Sequence, residues 1–250
     1  MFIDLHCHLD SRFFPLNEVE KVVSRARKAG VEIILANGIN VKENREVLEL
    51  SSRFEEIKAC LGIHPTDIDK LTDAEIDKEI KFIEANKDKI IAIGEVGLDF
   101  KEKGVDKKRQ VKVFEKFVKL AIKLDKPIIV HSRKAERECI EILEKLKCGK
   151  VVMHCFSGRR SLFSRIIDNG WFVTIPASIK YNAQFQLLAQ EMPLDRIFCE
   201  TDSPFLHPDR KDKNEPCFVV EGYKKIAEIR ELSLGEIEKK IEGNYKRLFG

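Results

Sequence analysis

Two histidines stand two residues apart near the start of the chain, as His6 and His8. Side chains two residues apart in a strand project from the same face, so the two imidazoles can bind one metal ion together. Cys7 then points to the opposite face and is most simply a small buried residue. Asp202 can supply a carboxylate to the same ion and accept a proton from the water bound there. These residues predict a metal site with its own general base.

Three further residues suit a second ion. His131 and His154 can bind it together, and Glu95 can bridge the two ions through its two oxygens. Taken singly, each residue could be a buried histidine or a turn residue, but burying the whole set without a metal would be costly. Mixed histidine and carboxylate ligands suit Zn²⁺ or Mn²⁺, whereas Mg²⁺ prefers more oxygen. We therefore expect two divalent ions, with Asp202 and Glu95 as catalytic residues, and these ligands: His6, His8, Glu95, His131, His154 and Asp202.

Other residues near these ligands suit contacts with a substrate. We interpret His64, in the segment GIHP, as a substrate contact or a support for a ligand, in preference to a ligand itself. Arg133 is the best candidate for a phosphate contact because it follows His131 by two residues. The neighbouring loops carry an excess of five positive charges, from Arg133, Lys134, Arg159, Arg160, Lys180, Arg210, Lys211 and Lys213 against Asp209, Asp212 and Glu215. A basic mouth of this kind suits a phosphate-bearing substrate.

The elements that must position these residues are eight short apolar runs that alternate with amphipathic segments. This order predicts a parallel sheet covered by helices, and eight strands favour a closed (β/α)₈ barrel in a single domain over residues 1–250. An open, doubly wound sheet is the alternative, but no GxGxxG segment follows the first run. The predicted strands are Phe2–Leu5, Val31–Leu35, Ile57–Leu61, Ile90–Ile93, Pro127–Val130, Val151–Met153, Trp171–Ile175 and Arg196–Cys199.

The chemistry-bearing residues fall at the ends of these runs. Five of the six histidines do so, and only His207 lies further out in a loop. The carboxyl ends of all eight strands meet at one rim of such a barrel, so residues far apart in sequence share one pocket. The predicted helices cover about 17–29, before Gly30, then about 106–124 and 135–146, with others after Gly158 and from near Pro216 and Ser233.

Composition sets the broad class of the protein. The 250 residues are 43% hydrophobic and 35% charged, which is typical of a globular domain. A formal net charge of +3 falls short of that of a dedicated nucleic-acid-binding domain. Seven cysteines without a CxxC pair argue against a disulfide framework. With no visible signal sequence and no long apolar run, we expect a cytoplasmic protein that has no membrane segment and needs no obligate protein partner.

The motifs resemble those of the TatD family of metal-dependent DNases, within the amidohydrolase superfamily. The matching segments occur in the family's order over nearly the whole chain: FIDLHCHL (2–9), GIHP (62–65), IGEVGLDF (93–100), VHSR (130–133), MHCFSG (153–158), ETDSPFL (200–206), NEP (214–216) and NYKRLF (244–249). The resemblance implies a two-metal barrel. In it, His6, His8, Glu95 and Asp202 serve one ion, and Glu95, His131 and His154 serve the other.

The leading hypothesis is a deoxyribonuclease that cleaves phosphodiester bonds of DNA with metal-activated water, as an exonuclease from an exposed end. The alternative is a metal-dependent deacylase or amidohydrolase acting on an ester or amide, such as an aminoacyl-tRNA. The same centre would serve both reactions because each needs an activated water. A non-catalytic binding protein is a third possibility, but it would be expected to lose at least one ligand, and all six are present.

Overall fold

Eight parallel strands pair in chain order to form a barrel in the computed structural model, which describes residues 1–101 and 104–250. The strands are β1 (Phe2–Cys7), β2 (Val31–Gly38), β3 (Ile57–Leu61), β4 (Ala92–Gly97), β5 (Ile128–His131), β6 (Val151–Met153), β7 (Phe172–Pro176) and β8 (Ile197–Glu200). Their residues are almost all buried, because the barrel interior covers one face and the surrounding helices cover the other.

Helices follow the strands in turn and form the outer layer. They are α1 (Leu16–Lys28), α2 (Val41–Arg53), α3 (Asp73–Ala85), α4 (Lys107–Leu124), α5 (Glu136–Lys145), α6 (Phe163–Asp168), α7 (Ala183–Glu191), α8 (Val219–Arg230) and α9 (Leu234–Phe249). Local sequence fixes several of their ends. Thr72 and Ser233 form capping boxes with Glu75 and Glu236 at the starts of α3 and α9. Gly30 follows α1 with a φ of +83°, as its position in the sequence predicts.

The barrel closes where the last strand meets the first. Asp202 donates its backbone N–H to the carbonyl of His6 at 2.9 Å, and His8 donates to the carbonyl of Ser203 at 2.8 Å. Cys7 and Ser203 form a parallel bridge at the same point. This closure confirms the (β/α)₈ prediction over the open sheet. It also brings the two ends of the predicted ligand set together.

Six of the eight strands extend past the carboxyl ends of the apolar runs that predict them. β1 continues through His6 to Cys7, and β4 begins at Ala92 and continues through Glu95 to Gly97. His6 and Glu95 therefore lie within strands instead of following them. Polar side chains end an apolar pattern, but the backbone continues to pair with its neighbours where those side chains point into the barrel mouth.

The sequence pattern also left some helices out. α2, α3 and α7 were not among the predicted helices, and the helix expected after Gly158 begins as a 3₁₀ turn at Arg160–Leu162 before α6. Among the helices of the described ranges, none combines the length and hydropathy that a membrane span requires.

Candidate metal centre

The predicted ligands surround a cavity at the carboxyl end of the barrel. The cavity has a volume of about 560 Å³, and its wall includes His8, His64, Glu95, His131, His154 and Asp202. His6 is completely buried and lies beneath this wall, in contact with the other ligands. The structure thus brings together all six residues that the sequence predicts as ligands, together with His64.

Four atoms of the predicted ligands form one compact set, which we call the first set: His6 Nε2, His8 Nε2, Glu95 Oε2 and Asp202 Oδ1. The two nitrogens lie 3.2 Å apart. Each lies 3.5 Å from Glu95 Oε2, and they lie 3.7 and 3.6 Å from Asp202 Oδ1. Four ligands at zinc-like bond lengths in a tetrahedron are separated by about 3.3 Å. The first set therefore has the spacing of ligands around one four-coordinate ion.

The other carboxylate oxygen of Glu95 faces different histidines. Glu95 Oε1 lies 2.8 Å from His131 Nδ1 and 3.6 Å from Nε2 of both His154 and His64. The compact groupings that could hold an ion there are His64 with Glu95 and His131, and His6 with Glu95 and His154. His131 and His154 thus flank the same oxygen, although their ring centroids are 6.1 Å apart. We call Glu95 Oε1, His131 and His154 the second set.

In three of the predicted ligand histidines, the ring nitrogen that points away from the cluster has a hydrogen-bond acceptor beside it. His8 Nδ1 donates to the carbonyl of Asn37 at 3.1 Å. His154 Nδ1 lies 2.8 Å from Glu200 Oε2, and His131 Nε2 lies 3.0 Å from Asp99 Oδ2. An acceptor on one ring nitrogen places the proton there and leaves the lone pair of the other nitrogen for a metal. These contacts set the inward nitrogens of all three rings as acceptors.

Asp202 is positioned from beneath by a buried acid. Asp4 accepts hydrogen bonds from the backbone N–H of Thr201 at 2.8 Å and from its hydroxyl at 2.6 Å. Because Asp4 lies in β1 and Thr201 directly follows β8, this contact holds the Asp202 backbone across the seam of the barrel.

His131 is positioned by a close approach of two strands. Gly97 has a φ of +147°, and a Cβ built on it would lie only 1.9 Å from the carbonyl oxygen of His131. Glycine alone allows this backbone conformation and this separation. The second glycine of IGEVGLDF therefore allows the end of β4 to pack closely against the end of β5.

Charges in the cluster strongly perturb its titration. Burial lowers the pKa of His8, His131 and His154, but the neighbouring carboxylates outweigh burial and raise each pKa to about 9. Burial raises the pKa of Glu95, yet the surrounding histidines reverse this and hold it well below its ordinary value. Without a metal ion, protonated histidines supply the positive charge next to these carboxylates.

His64 has a different arrangement from the ligand histidines. Its Nδ1 accepts a hydrogen bond from the backbone N–H of Thr66 at 3.2 Å. Burial, with His131 nearby, lowers the pKa of His64 to about 3, so the ring is neutral. A neutral ring that accepts at Nδ1 carries its proton at Nε2. The inward nitrogen of His64 is thus a hydrogen-bond donor, in contrast to those of the ligand histidines.

Comparison with known proteins places this arrangement in a family. The family model of TatD-related DNases matches residues 3–250. The chain belongs to the TatD-related DNase family. This confirms the resemblance seen in the motifs, and it confirms a metal-dependent hydrolase as the class of enzyme.

Several relatives match this chain over nearly their whole length. Deoxyribonuclease TATDN3 of Homo sapiens is 34% identical over 258 residues, which cover 99% of this chain and 94% of the human protein. The uncharacterized metal-dependent hydrolase MJ1582 of Methanocaldococcus jannaschii is also 34% identical, over 248 residues that cover 99% of this chain and 96% of that protein. The crystal structure of YJJV, a TATD homolog from Escherichia coli, has a TM-score of 0.93 at 27% identity and covers 99% of this chain and 97% of that one.

Fewer cations line the cavity of this TatD-related chain than the sequence predicts. Of the lysines and arginines in the described ranges, Arg12 and Arg133 contribute to the cavity wall. Several cations of the predicted basic mouth form ion pairs elsewhere: Lys180 with Asp209, Arg160 with Glu191 and Lys213 with Glu18. The position of a loop in the sequence indicates which cations lie near the mouth of the barrel. It does not show which acids pair with them, because those acids lie in other loops and helices.

Some residues of the site were not singled out from the sequence. Asp99 and Glu200 lie in quoted motifs, and their signal was an acid close to a ligand in the chain. Arg12, Phe13 and Phe205 also line the cavity. Phe205 lies in the quoted segment ETDSPFL, whereas nothing in the local sequence of Arg12 and Phe13 separates them from ordinary loop residues. His207, the histidine predicted to lie apart, does so: its ring packs on Phe218 with centroids 4.6 Å apart.

Proposed function

We propose that this chain hydrolyses phosphodiester bonds of DNA with two divalent metal ions, starting from an exposed end. The observation that carries the proposal is the position of Glu95 between two sets of histidine nitrogens, one set at each of its oxygens. Membership of the TatD-related DNase family and the printed activity of the human relative support DNA as the substrate.

The charge of the site supports two ions. Glu95, Asp99, Glu200 and Asp202 are at most 16% exposed, and together they carry four negative charges when ionised. Two divalent cations would neutralise these charges, which are costly to bury alone. We propose that the first set holds one ion and the second set holds the other, with Glu95 bridging them. The mixture of imidazole and carboxylate favours zinc or manganese over magnesium.

When bound, the ions would supply Lewis acidity and would lower the pKa of a bound water. Asp202 is the general base of the proposal. It lines the cavity and is 16% exposed, whereas Glu95 is 3% exposed. Its carboxylate is thus the one that water in the cavity can reach, and it accepts the proton of the attacking water. Burial raises the pKa of Asp202, but the hydrogen bond with His8 and the other histidine charges outweigh this and keep it ionised.

The substrate phosphate would be held by groups on the cavity wall. His64 donates from Nε2 to a phosphate oxygen, consistent with its acceptor role at Nδ1. Arg133 is 46% exposed at the mouth, with its guanidinium 3.9 Å from Asp99 Oδ2, and contributes positive charge toward the same phosphate. The ligands lie at the base of a concave cavity, which a chain end enters more easily than the middle of a duplex does.

The proposal is tested with a single-stranded oligonucleotide labelled at its 3′ or 5′ end. Metal-stripped protein is reconstituted with Zn²⁺, Mn²⁺ or Mg²⁺, and the products are resolved by length. We expect metal-dependent shortening from one end that is abolished by Asp202→Ala or His131→Ala. His207→Ala is the matched control, since His207 lies outside the cavity wall.

Retained cleavage in Asp202→Ala protein of native stability would refute the role of this residue. Cutting that starts within the chain would refute the exonuclease part alone. Failure to cut with any metal, in protein that binds two ions, would refute DNA as the substrate. Hydrolysis of an aminoacyl-tRNA would then identify the deacylase alternative.

A further inference from the structure

One large apolar ring is exposed in the wall of the cavity. Phe205 is 50% exposed, the largest value among the exposed large hydrophobic residues of the described ranges. The others, Leu16, Ile122 and Tyr181, lie outside the cavity wall. Exposing an aromatic ring forgoes favourable burial, so an exposed ring beside reactive groups suggests a surface for a ligand.

The backbone that carries this ring is held firmly. Phe205 donates its N–H to the carbonyl of Asp202 at 2.9 Å, and its own carbonyl accepts from Asn214 Nδ2 at 2.7 Å. Asn214 is completely buried, and its backbone N–H donates to the carbonyl of Pro204 at 2.9 Å. The backbone of Phe205 is therefore held at a fixed position relative to Asp202.

Neighbouring rings support Phe205 from the side. Phe13 meets it in a T-shaped arrangement with centroids 5.4 Å apart, and the guanidinium of Arg12 lies 5.0 Å from the Phe13 ring centroid. The ring of His8, a proposed ligand, lies 6.3 Å from Phe205. A base joined through its sugar to a phosphate at the metal centre can reach a ring at this distance.

We propose that Phe205, buttressed by Phe13, is a stacking surface for an unpaired nucleobase next to the scissile phosphate. This inference rests on the proposed function and specifies the form of its substrate. A base inside a duplex is already stacked on both faces, so it must leave the stack before it can meet this ring. Stacking on an aromatic side chain favours single strands and tolerates any base. The enzyme therefore prefers single-stranded or frayed ends to paired DNA.

The test compares wild-type protein with Phe205→Leu and Phe205→Trp. Leucine keeps the apolar character without the ring, whereas tryptophan keeps a flat surface. Tyr181→Leu makes the same kind of change in an aromatic residue outside the cavity wall. The substrates are single-stranded oligonucleotides in which one base at a time is replaced by an abasic tetrahydrofuran spacer, and a blunt hairpin of the same sequence. Thermal unfolding checks that each variant is folded.

We expect Phe205→Leu to raise KM for the intact oligonucleotide roughly 5- to 150-fold, the range for loss of one stacked base. Phe205→Trp should restore it, and Tyr181→Leu should match the wild type. Removing the base next to the cleaved bond should raise KM for the wild type but have little further effect in Phe205→Leu.

If the wild type cleaves DNA but base removal raises KM by the same factor in the wild type and in Phe205→Leu, the stacking surface is refuted. The proposed function would then still stand. Equal KM values for hairpin and single strand would overturn the preference for unpaired ends. Absence of wild-type cleavage would overturn the proposed function, and this inference with it.

Discussion

Glu200 is the group through which the orientation of His154 can be tested most sharply. It is completely buried, and its Oε2 lies 2.8 Å from His154 Nδ1, while Oε1 is buried with no hydrogen-bond partner among the described residues. In Glu200→Gln, two placements of the amide are possible. If the amide oxygen faces His154, the charge is lost and a buried NH₂ group lacks an acceptor.

In the other placement, the amide NH₂ donates to Nδ1 of His154 and forces the proton onto Nε2. That nitrogen lies 3.6 Å from Glu95 Oε1 and is the one proposed to bind metal. Either placement weakens the ligand. Loss of an outer partner of this kind typically costs about 10- to 100-fold in metal affinity, or about 1.4–2.7 kcal/mol.

The assay titrates metal into stripped protein in competition with a chromophoric chelator and then measures kcat at saturating metal. We expect one of the two affinities to fall by about 10- to 100-fold while the other changes little. Glu144→Gln is the control, because Glu144 pairs with Arg165 and Asn169 on the outer helices. Two affinities equal to those of the wild type, in folded Glu200→Gln protein, would refute the view that Glu200 orients His154.

Two other consequences can be measured. The pKa values of His8, His131 and His154 are raised to about 9, so metal must displace protons below that pH. The apparent metal affinity should therefore rise with pH until about 9. Because these pKa values are raised on folding, the charged histidines also stabilise the metal-free protein. This stabilisation is fully present below about pH 6.5 and is lost as the pH rises through about 9. The free energy of unfolding, measured by denaturant against pH with and without chelator, checks both expectations. The same dependence on pH for the metal-free and the metal-bound protein would contradict them. Gly97→Ala should lower the free energy of unfolding by about 1–3 kcal/mol or more and weaken metal binding, because the new Cβ meets His131. Gly149→Ala, where an added Cβ meets nothing within 4 Å, is its control, and equal unfolding midpoints for the two would count against the strain.

The clustering of the six predicted ligands could be foreseen from the sequence because barrel topology converts chain order into spatial position. Once eight strands are counted, residues at their carboxyl ends must share one rim. That rule is enough to bring His6, Glu95 and Asp202 together, even though the apolar runs that predict β1 and β4 end too early. The assignment of individual residues to ions remains a prediction that the experiments above test.

The surroundings of the ligands could not be predicted in this way. Asp99 and Glu200 act through side-chain contacts between different strands, and hydrophobic periodicity carries no information about such contacts. Phe205 is indistinguishable in sequence from a core phenylalanine, and only the structure shows that it is 50% exposed. The basic mouth was overestimated for the same reason, because partners such as Glu191 and Glu18 come from other elements.

The seam between β8 and β1 would give the proposed metal centre a role in the order of assembly. Asp4 and Thr201 are separated by 197 positions in the chain, and the first set spans a similar interval between His8 and Asp202. During synthesis, His6 and His8 are made first and Glu95 follows in the first half of the chain, whereas Asp202 is added only when most of the chain already exists. A first set that still lacks Asp202 would retain an ion less firmly than the complete set would. Metal capture would thus mark the moment at which the barrel has closed, and it would stabilise the finished protein over every partly made form.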